Sequence, residues 1–252
     1  MFHEPLQQVL HSVCFFQNEP THAAKFDVDK KHLLNIGFNL QLDIANMSNN
    51  TKKEWFETWF NSKYYHILYQ HRNDHEAAEF IDALVRHLAV PANSTVIDLA
   101  CGKGRHSIEL NNHHLNVVGL DLSENSIEHA KAFESDTLHF AVHDMRELYK
   151  EDFAHHIFNL FTSFGYFDNE NDNLKTLANA HRLLKAEGVL VIDYLNPDSI
   201  VSSFPIEEEK AIKGIDFKIR KHCDGQFIYK DIAFDSEGKS HSYQEKVQQI
   251  SS

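Results

Sequence analysis

An apolar run that ends in an acid and breaks into a glycine turn constrains this chain more than any other feature. It reads Val96-Ile97-Asp98-Leu99-Ala100-Cys101-Gly102-Lys103-Gly104-Arg105. The run predicts a buried strand, and helix-like apolar spacing resumes at Ser107, Ile108 and Leu110. The turn between them needs residues without bulk. Gly102 and Gly104 can take positive φ and let the backbone come close to a ligand. The amides that open the following helix then face that ligand. A second buried run, Asn116-Val117-Val118-Gly119-Leu120, ends in Asp121. A carboxylate at that strand end can accept from both hydroxyls of a ribose.

The pattern continues on either side. Residues 76–88 predict a helix with Ala77, Phe80, Ile81, Leu84 and Val85 on one face, stopped by Pro91. Ser123 is a good cap for a helix from Glu124 to about Phe133. Residues 138–142 predict a third strand, ending at His143-Asp144-Met145. Residues 157–161 predict a fourth, leading into Thr162-Ser163-Phe164-Gly165-Tyr166-Phe167. Leu174, Leu177, Ala178, His181 and Leu184 have helical spacing, with Gly188 as a cap. Val189-Leu190-Val191-Ile192 predicts a fifth strand, ending in Asp193-Tyr194-Leu195-Asn196-Pro197. Strands alternating with helices point to an α/β sheet, mostly parallel.

The stretch from residue 95 onward resembles the nucleoside-binding half of class I S-adenosylmethionine-dependent methyltransferases. Their first motif is an acid, any residue, a small residue, any residue, then Gly-x-Gly. Here it is Asp98-Leu99-Ala100-Cys101-Gly102-Lys103-Gly104, with Ala100 in place of the usual first glycine. The resemblance runs from near Met47 to about Pro197. It implies a Rossmann-like, doubly wound α/β sheet, S-adenosyl-L-methionine as cofactor, and methyl transfer to a small-molecule acceptor through oxygen or nitrogen. It assigns cofactor binding to Asp98, Ala100, Cys101, Gly102, Gly104, Asp121, Leu122, Asp144, Met145 and Ser163. Asp144 would accept from the adenine amino group while Met145 flanks the ring. The other reading of Asp144 is a cap for a helix over residues 145–149.

An aromatic segment precedes the motif. Trp55, Phe56, Tyr64, Tyr65, Leu68, Tyr69 and Arg72 match a helical lid that closes the pocket in methyltransferases similar to this chain. The resemblance therefore adds Tyr65, Tyr69 and Arg72 to the cofactor set. A helix packing its apolar face on the core explains the same residues. Aromatic faces near a sulfonium would also hold its charge. The Ser163-to-Phe167 run is typical of one branch of small methyltransferases, and Tyr166 faces the substrate or packs on the next helix.

Four segments follow from this reading. Residues 1–46 form an extension of unclear role, 47–91 a helical lid, 92–197 the cofactor-binding core and 198–252 an antiparallel β appendage. In the extension, residues 6–16 have helix-like spacing. Gly37 could end a short helix through Leu33-Leu34, and residues 38–44 alternate as a strand does. In the appendage, residues 217–220 and 227–230 alternate around Asp224-Gly225, a hairpin signal. Ser236-Glu237-Gly238 predicts a second turn and residues 243–250 a third strand. Family members normally add a helix and two more strands after the fifth. Without them residues 189–192 would be an exposed edge. Three outcomes are open: a truncated chain, an edge paired with a second chain, or an edge covered by the extension through residues 38–44.

Composition narrows the function. A net charge of −13 argues against nucleic acid as the main partner, since binding there rests on basic side chains. Three cysteines, Cys14, Cys101 and Cys223, share no metal spacing and suit a reducing cytoplasm. The abundant histidines offer no third ligand at fixed geometry, so no metal is expected. No run is long and apolar enough to span a bilayer. The expected protein is a cytoplasmic monomer or homodimer. Base candidates at strand ends are His143, Tyr166 and Asp193. Asn196-Pro197 follows the fifth strand, unlike the Asn-Pro-Pro-aromatic motif of enzymes that methylate nucleic-acid amino groups. A nicotinamide oxidoreductase would show a third glycine where Ser107 stands. The remaining alternative is a non-catalytic relic that at most binds the cofactor.

Overall fold

A computed structural model describes residues 11–17, 25–27, 54–70 and 74–250. The elements in chain order are β1 (His11–Gln17), β2 (Lys25–Asp27), α1 (Trp55–Phe60), α2 (Lys63–Leu68), α3 (Asp74–Leu88), β3 (Thr95–Leu99), α4 (Arg105–Asn112), β4 (Asn116–Asp121) and α5 (Glu124–Ala130). There follow β5 (Leu138–Val142), β6 (Ala154–Asn159), α6 (Glu170–Leu183), β7 (Leu184–Leu195) and α7 (Pro197–Ile200). The last four are β8 (Ile206–Ile212), β9 (Ile215–Cys223), β10 (Phe227–Ser236) and β11 (Lys239–Gln248).

The main sheet has the order β2-β1-β7-β6-β3-β4-β5. Strands β7, β6, β3, β4 and β5 are parallel, giving a Rossmann-like α/β fold. Parallel strands are buried on both faces and read as continuous apolar runs. Alternate residues then serve opposite faces. Val96, Phe158 and Val191 join α3, α4 and α5 through Ile81, Leu110 and Ile127. Ile97, Ile157 and Leu190 face the other way and meet Ala180 and Leu183 of α6. The second sheet, β11-β10-β9-β8, is antiparallel throughout. It packs its apolar face against α1 and α2, joining Phe217, Ile232 and Phe234 to Trp59, Tyr64 and Leu68.

The far edge of the parallel sheet departs from expectation. β1 runs antiparallel along β7, from Gln17 opposite Val189 to His11 opposite Leu195. The helix expected over residues 6–16 is therefore a strand from His11 onward. Residues 38–44 and Leu33-Leu34 lie outside the described residues. Both backbone edges of residues 189–192 are taken, by β1 and β6. The extension does cover the edge, through β1 rather than residues 38–44.

Smaller differences have local causes. The aromatic segment is two short helices, because Ser62 interrupts it and accepts from the Tyr64 amide to cap the second. The fourth strand spans residues 154–159, not 157–161. Phe161 and Thr162 take φ of 58° and 55°, which a strand does not allow. Gly188 does not cap α6. It lies within β7, where a Cβ would stand 2.8 Å from the Lys185 carbonyl oxygen. No helix forms over residues 145–149. The hairpin at Asp224-Gly225 is as expected, and Asp224 accepts from the amides of Gln226 and Phe227 at 2.8 Å. Strand β8 was not foreseen.

Candidate functional site

The chain winds outward from β3 through β4 to β5, then returns to β6 and β7 on the other side of β3. Ligands of open α/β sheets bind at the carboxyl ends of strands beside such a reversal. A cleft of about 910 Å³ lies there. It receives Asp98, Ala100, Cys101, Gly102, Asp121, Leu122, Asp144, Met145 and Ser163 from the sheet, and Tyr65 and Tyr69 from the aromatic segment. His143 and Tyr166 line it as well. Gly104 is not on the wall but serves as the N-cap of α4 at φ 83°. Arg72 lies outside the described residues.

The turn after β3 is tied to β4 at several points. The amides of Ala100 and Cys101 both donate to the Leu120 carbonyl, at 2.7 and 3.0 Å. Ala100 itself takes φ 65°, a left-handed conformation that costs an L residue on the order of 1–2 kcal/mol. Asp121 accepts from the Gly102 amide at 2.8 Å through one oxygen and from the Ser123 amide at 2.8 Å through the other. Burial pushes its carboxyl up, and these two amides pull it back.

Asp98 is almost fully buried and accepts from the Ser107 hydroxyl at 2.5 Å. Burial pushes this carboxyl up to about 7, with the Ser107 bond opposing and the Asp121 charge adding. A folded-state pKa above the unfolded one means that the native state binds the extra proton between about pH 4 and pH 7. Stability from this group is then full below that window and is lost as pH rises through it. Relative to Asp98→Asn, the native protein should lose on the order of 2–4 kcal/mol between pH 4 and pH 8. Urea denaturation of both proteins at the two pH values measures this; a constant difference would refute it.

Asp144 is not a helix cap. Burial raises its carboxyl, but the Arg146 guanidinium outweighs that and holds it low. Arg146 donates to both carboxylate oxygens, the shortest contact being 2.7 Å. It also reaches Glu54 at 3.3 Å and lies over the Phe167 ring. This arginine joins Asp144 to the start of the aromatic segment and the loop after β6, and sequence reasoning missed it. Its only signal was a basic residue two places after the acid.

The base candidates separate. His143 has a ring nitrogen 3.0 Å from the Glu147 carbonyl oxygen and lies against Tyr149. Tyr166 packs among Trp55, Phe56 and Phe60, and its carbonyl accepts from the Trp55 indole at 3.3 Å. Asp193 is no wall residue. It is buried beneath the loop after β6, where its carboxylate accepts from the Phe161 amide at 2.9 Å and its carbonyl from the Thr162 amide at 3.0 Å. These bonds hold two successive left-handed residues, each unfavourable by itself. Asp193→Ala should cost about 1–3 kcal/mol by urea denaturation. It should also speed hydrogen exchange at the Phe161 amide, which loses its side-chain acceptor, and unchanged exchange there would remove the clamp.

The aromatic segment contributes both to the cleft wall and to the core. Phe56, Phe60, Tyr65, His66 and Tyr69 line the cleft, while Trp59 is buried against the antiparallel sheet. The Trp59 indole donates to Glu245 on β11 at 2.7 Å, and the Tyr69 hydroxyl donates to the same oxygen at 2.6 Å. At the other end Ser123 donates to Asn61 at 2.5 Å, fixing the segment to the end of β4. Among the described residues no helix is long and apolar enough to cross a membrane.

The sequence is 33% identical over 120 residues to the YqeM protein of Bacillus subtilis, covering 46% of this chain and 49% of that one. It is 34% identical over 146 residues to a glycine/sarcosine/dimethylglycine N-methyltransferase of Actinopolyspora halophila, covering 54% of this chain and 25% of the other. The chain thus spans half or less of the length of these relatives. In fold it is similar to the S-adenosylmethionine-bound CalS10, an amino pentose methyltransferase from Micromonospora echinaspora, with a TM-score of 0.60. That likeness covers 75% of this chain and 84% of the other at 19% identity. The sequence model of the methyltransferase domain matches residues 91–249. The match takes in the glycine turn, Asp121, the loop after β6 and the antiparallel sheet, so the chain belongs to the methyltransferase domain family.

Proposed function

We propose that this cleft binds S-adenosylmethionine and that the chain transfers its methyl group to a small-molecule amine. The observation that carries the reading is the pair of carboxylates at the carboxyl ends of adjacent strands, Asp98 and Asp121, on either side of the Ala100-to-Gly104 turn. The donor set suits the cofactor's three parts. Asp98 would lie toward the cofactor's cationic amino group, Asp121 would accept from its ribose diol, and Leu122 and Met145 would flank its base. The amine acceptor comes from the relatives, which include N-methyltransferases of glycine, sarcosine and an amino sugar.

The bound cofactor supplies an activated methyl group on a sulfonium. The chain's own work is to align the acceptor and exclude water. The rings of Phe56, Phe60 and Tyr65 in the aromatic segment and of Tyr166 in the loop after β6 give the cleft an apolar, electron-rich wall. His66 on the same wall is kept neutral, since burial and the nearby Lys103 lower its pKa to about 4. The relic reading rested on a sheet short of its C-terminal hairpin, and β1 occupies the edge of β7 that this would leave open. The test is production of S-adenosylhomocysteine with a panel of small amines and matched alcohols. Turnover with amines alone is expected. Turnover with alcohols alone would overturn the acceptor class, and cofactor binding without any turnover would favour the relic.

A further inference from the structure

The roof of the cleft carries a row of residues that the cofactor half does not use. Ile206, Lys221, Lys230 and Glu245 are successive cross-strand partners on β8, β9, β10 and β11. Partners directly opposite in an antiparallel sheet share one face, and all four line the cleft. Lys221 and Lys230 therefore stand side by side. Like charges in that position are destabilising.

Both ammonium groups are held in place. Lys221 lies 2.9 Å from Glu208. Lys230 donates to the Tyr69 hydroxyl, sits 4.5 Å above the Tyr69 ring and is 3.9 Å from Glu245. One Glu245 oxygen is already taken by Trp59 and Tyr69. The rest of that wall is largely apolar, with Ile200, Phe204, Ile228 and Val247. A few converging charges in an apolar cleft fix the orientation of a ligand.

We propose that Lys221 and Lys230 form an oxyanion subsite that recognises a carboxylate or phosphate on the methyl acceptor. This rests on the reading of the cleft as a methyl-transfer site. A shared oxyanion can accept charge-assisted hydrogen bonds from both ammonium groups, beside the Glu208 and Glu245 carboxylates that each already meets. The acceptor class is then a small amine that also carries an acidic group.

The test uses the full chain labelled with ¹³C-lysine, titrated separately with acetate and inorganic phosphate at constant ionic strength. The Lys221 and Lys230 side-chain signals should shift saturably, while exposed Lys213 on the β8–β9 turn should not. Lys230→Met should weaken binding at least about tenfold, the worth of one charge-assisted bond. Lys221→Met provides the same test should Lys230→Met fail to fold, and Lys221→Arg should retain binding. Tighter binding of acetate assigns a carboxylate, and tighter binding of phosphate assigns a phosphate. Unsaturable shifts across all lysines, or binding unchanged in the methionine variants, would overturn the subsite. Calorimetric titration of the unaltered protein with S-adenosylmethionine separates the two claims. Cofactor binding without anion binding sinks the subsite alone, and the reverse sinks the methyl-transfer reading.

Discussion

Replacing Asp121 by alanine is expected to remove measurable binding of S-adenosylmethionine and S-adenosylhomocysteine. The carboxylate already accepts one backbone amide on each oxygen, from Gly102 and Ser123. An ionised carboxylate offers about four lone-pair sites, so two remain for a diol. Each hydrogen bond to a charged group is worth about 1.5–3 kcal/mol. Losing two of them lowers affinity by roughly a hundredfold or more. The variant also frees the Gly102 amide, which loosens the turn that the cofactor would press against. Asp121→Asn separates these effects, because its amide oxygen can still accept one backbone bond. Calorimetric titration of the three proteins is the measurement. An alanine variant that binds within threefold of the original would place the ribose elsewhere.

The second large effect concerns stability. Gly104 takes φ 83°, and a Cβ there would lie 2.7 Å from the Phe140 ring. Gly119 on β4 meets the same ring, at 2.5 Å, and the Cys101 sulfur at 2.9 Å. Phe140 thus fills the space that two missing side chains leave. Gly104→Ala combines a left-handed L residue with overpacking and should cost about 2–4 kcal/mol. Urea denaturation measures the loss. Phe140→Leu in the alanine background should recover part of it, because a smaller side chain relieves the overlap while the backbone strain stays. A loss below about 0.5 kcal/mol would mean that the ring simply moves aside.

Much of the parallel half was legible in the chain's own pattern. Val96-Ile97 and residues 117–120 are apolar because both faces of a parallel strand are buried, with Asp98 inside the first strand and Asp121 at the end of the second. Ser123 announced its helix by capping it, and it does accept from the Ser126 amide. Most of the failures share a cause: long-range contact overruled local spacing. Residues 6–16 have helix-like spacing, yet the open backbone of β7 draws His11–Gln17 into a strand. Asp144 is a local case: of its two readings, adenine acceptor or helix cap, the cap is set aside by a guanidinium two residues on that takes both oxygens. Gly188 looked like a helix end, yet it lies inside β7. Asp193, one of three base candidates at strand ends, accepts from a loop amide. The roof of the cleft was unreadable because cross-strand register brings Lys221, Lys230 and Glu245 together.

The pairing of β1 with β7 has a consequence for how the protein is made. Gln17 must find Val189, and His11 must find Leu195. Such high contact order slows folding, because the entropy of closing a long loop is lost before the pairing rewards it. On the ribosome the amino-terminal strand emerges long before its partner exists. The nascent chain therefore carries an unmatched β segment until β7 is made, and until the two strands meet the edge of β7 is open to a neighbouring chain.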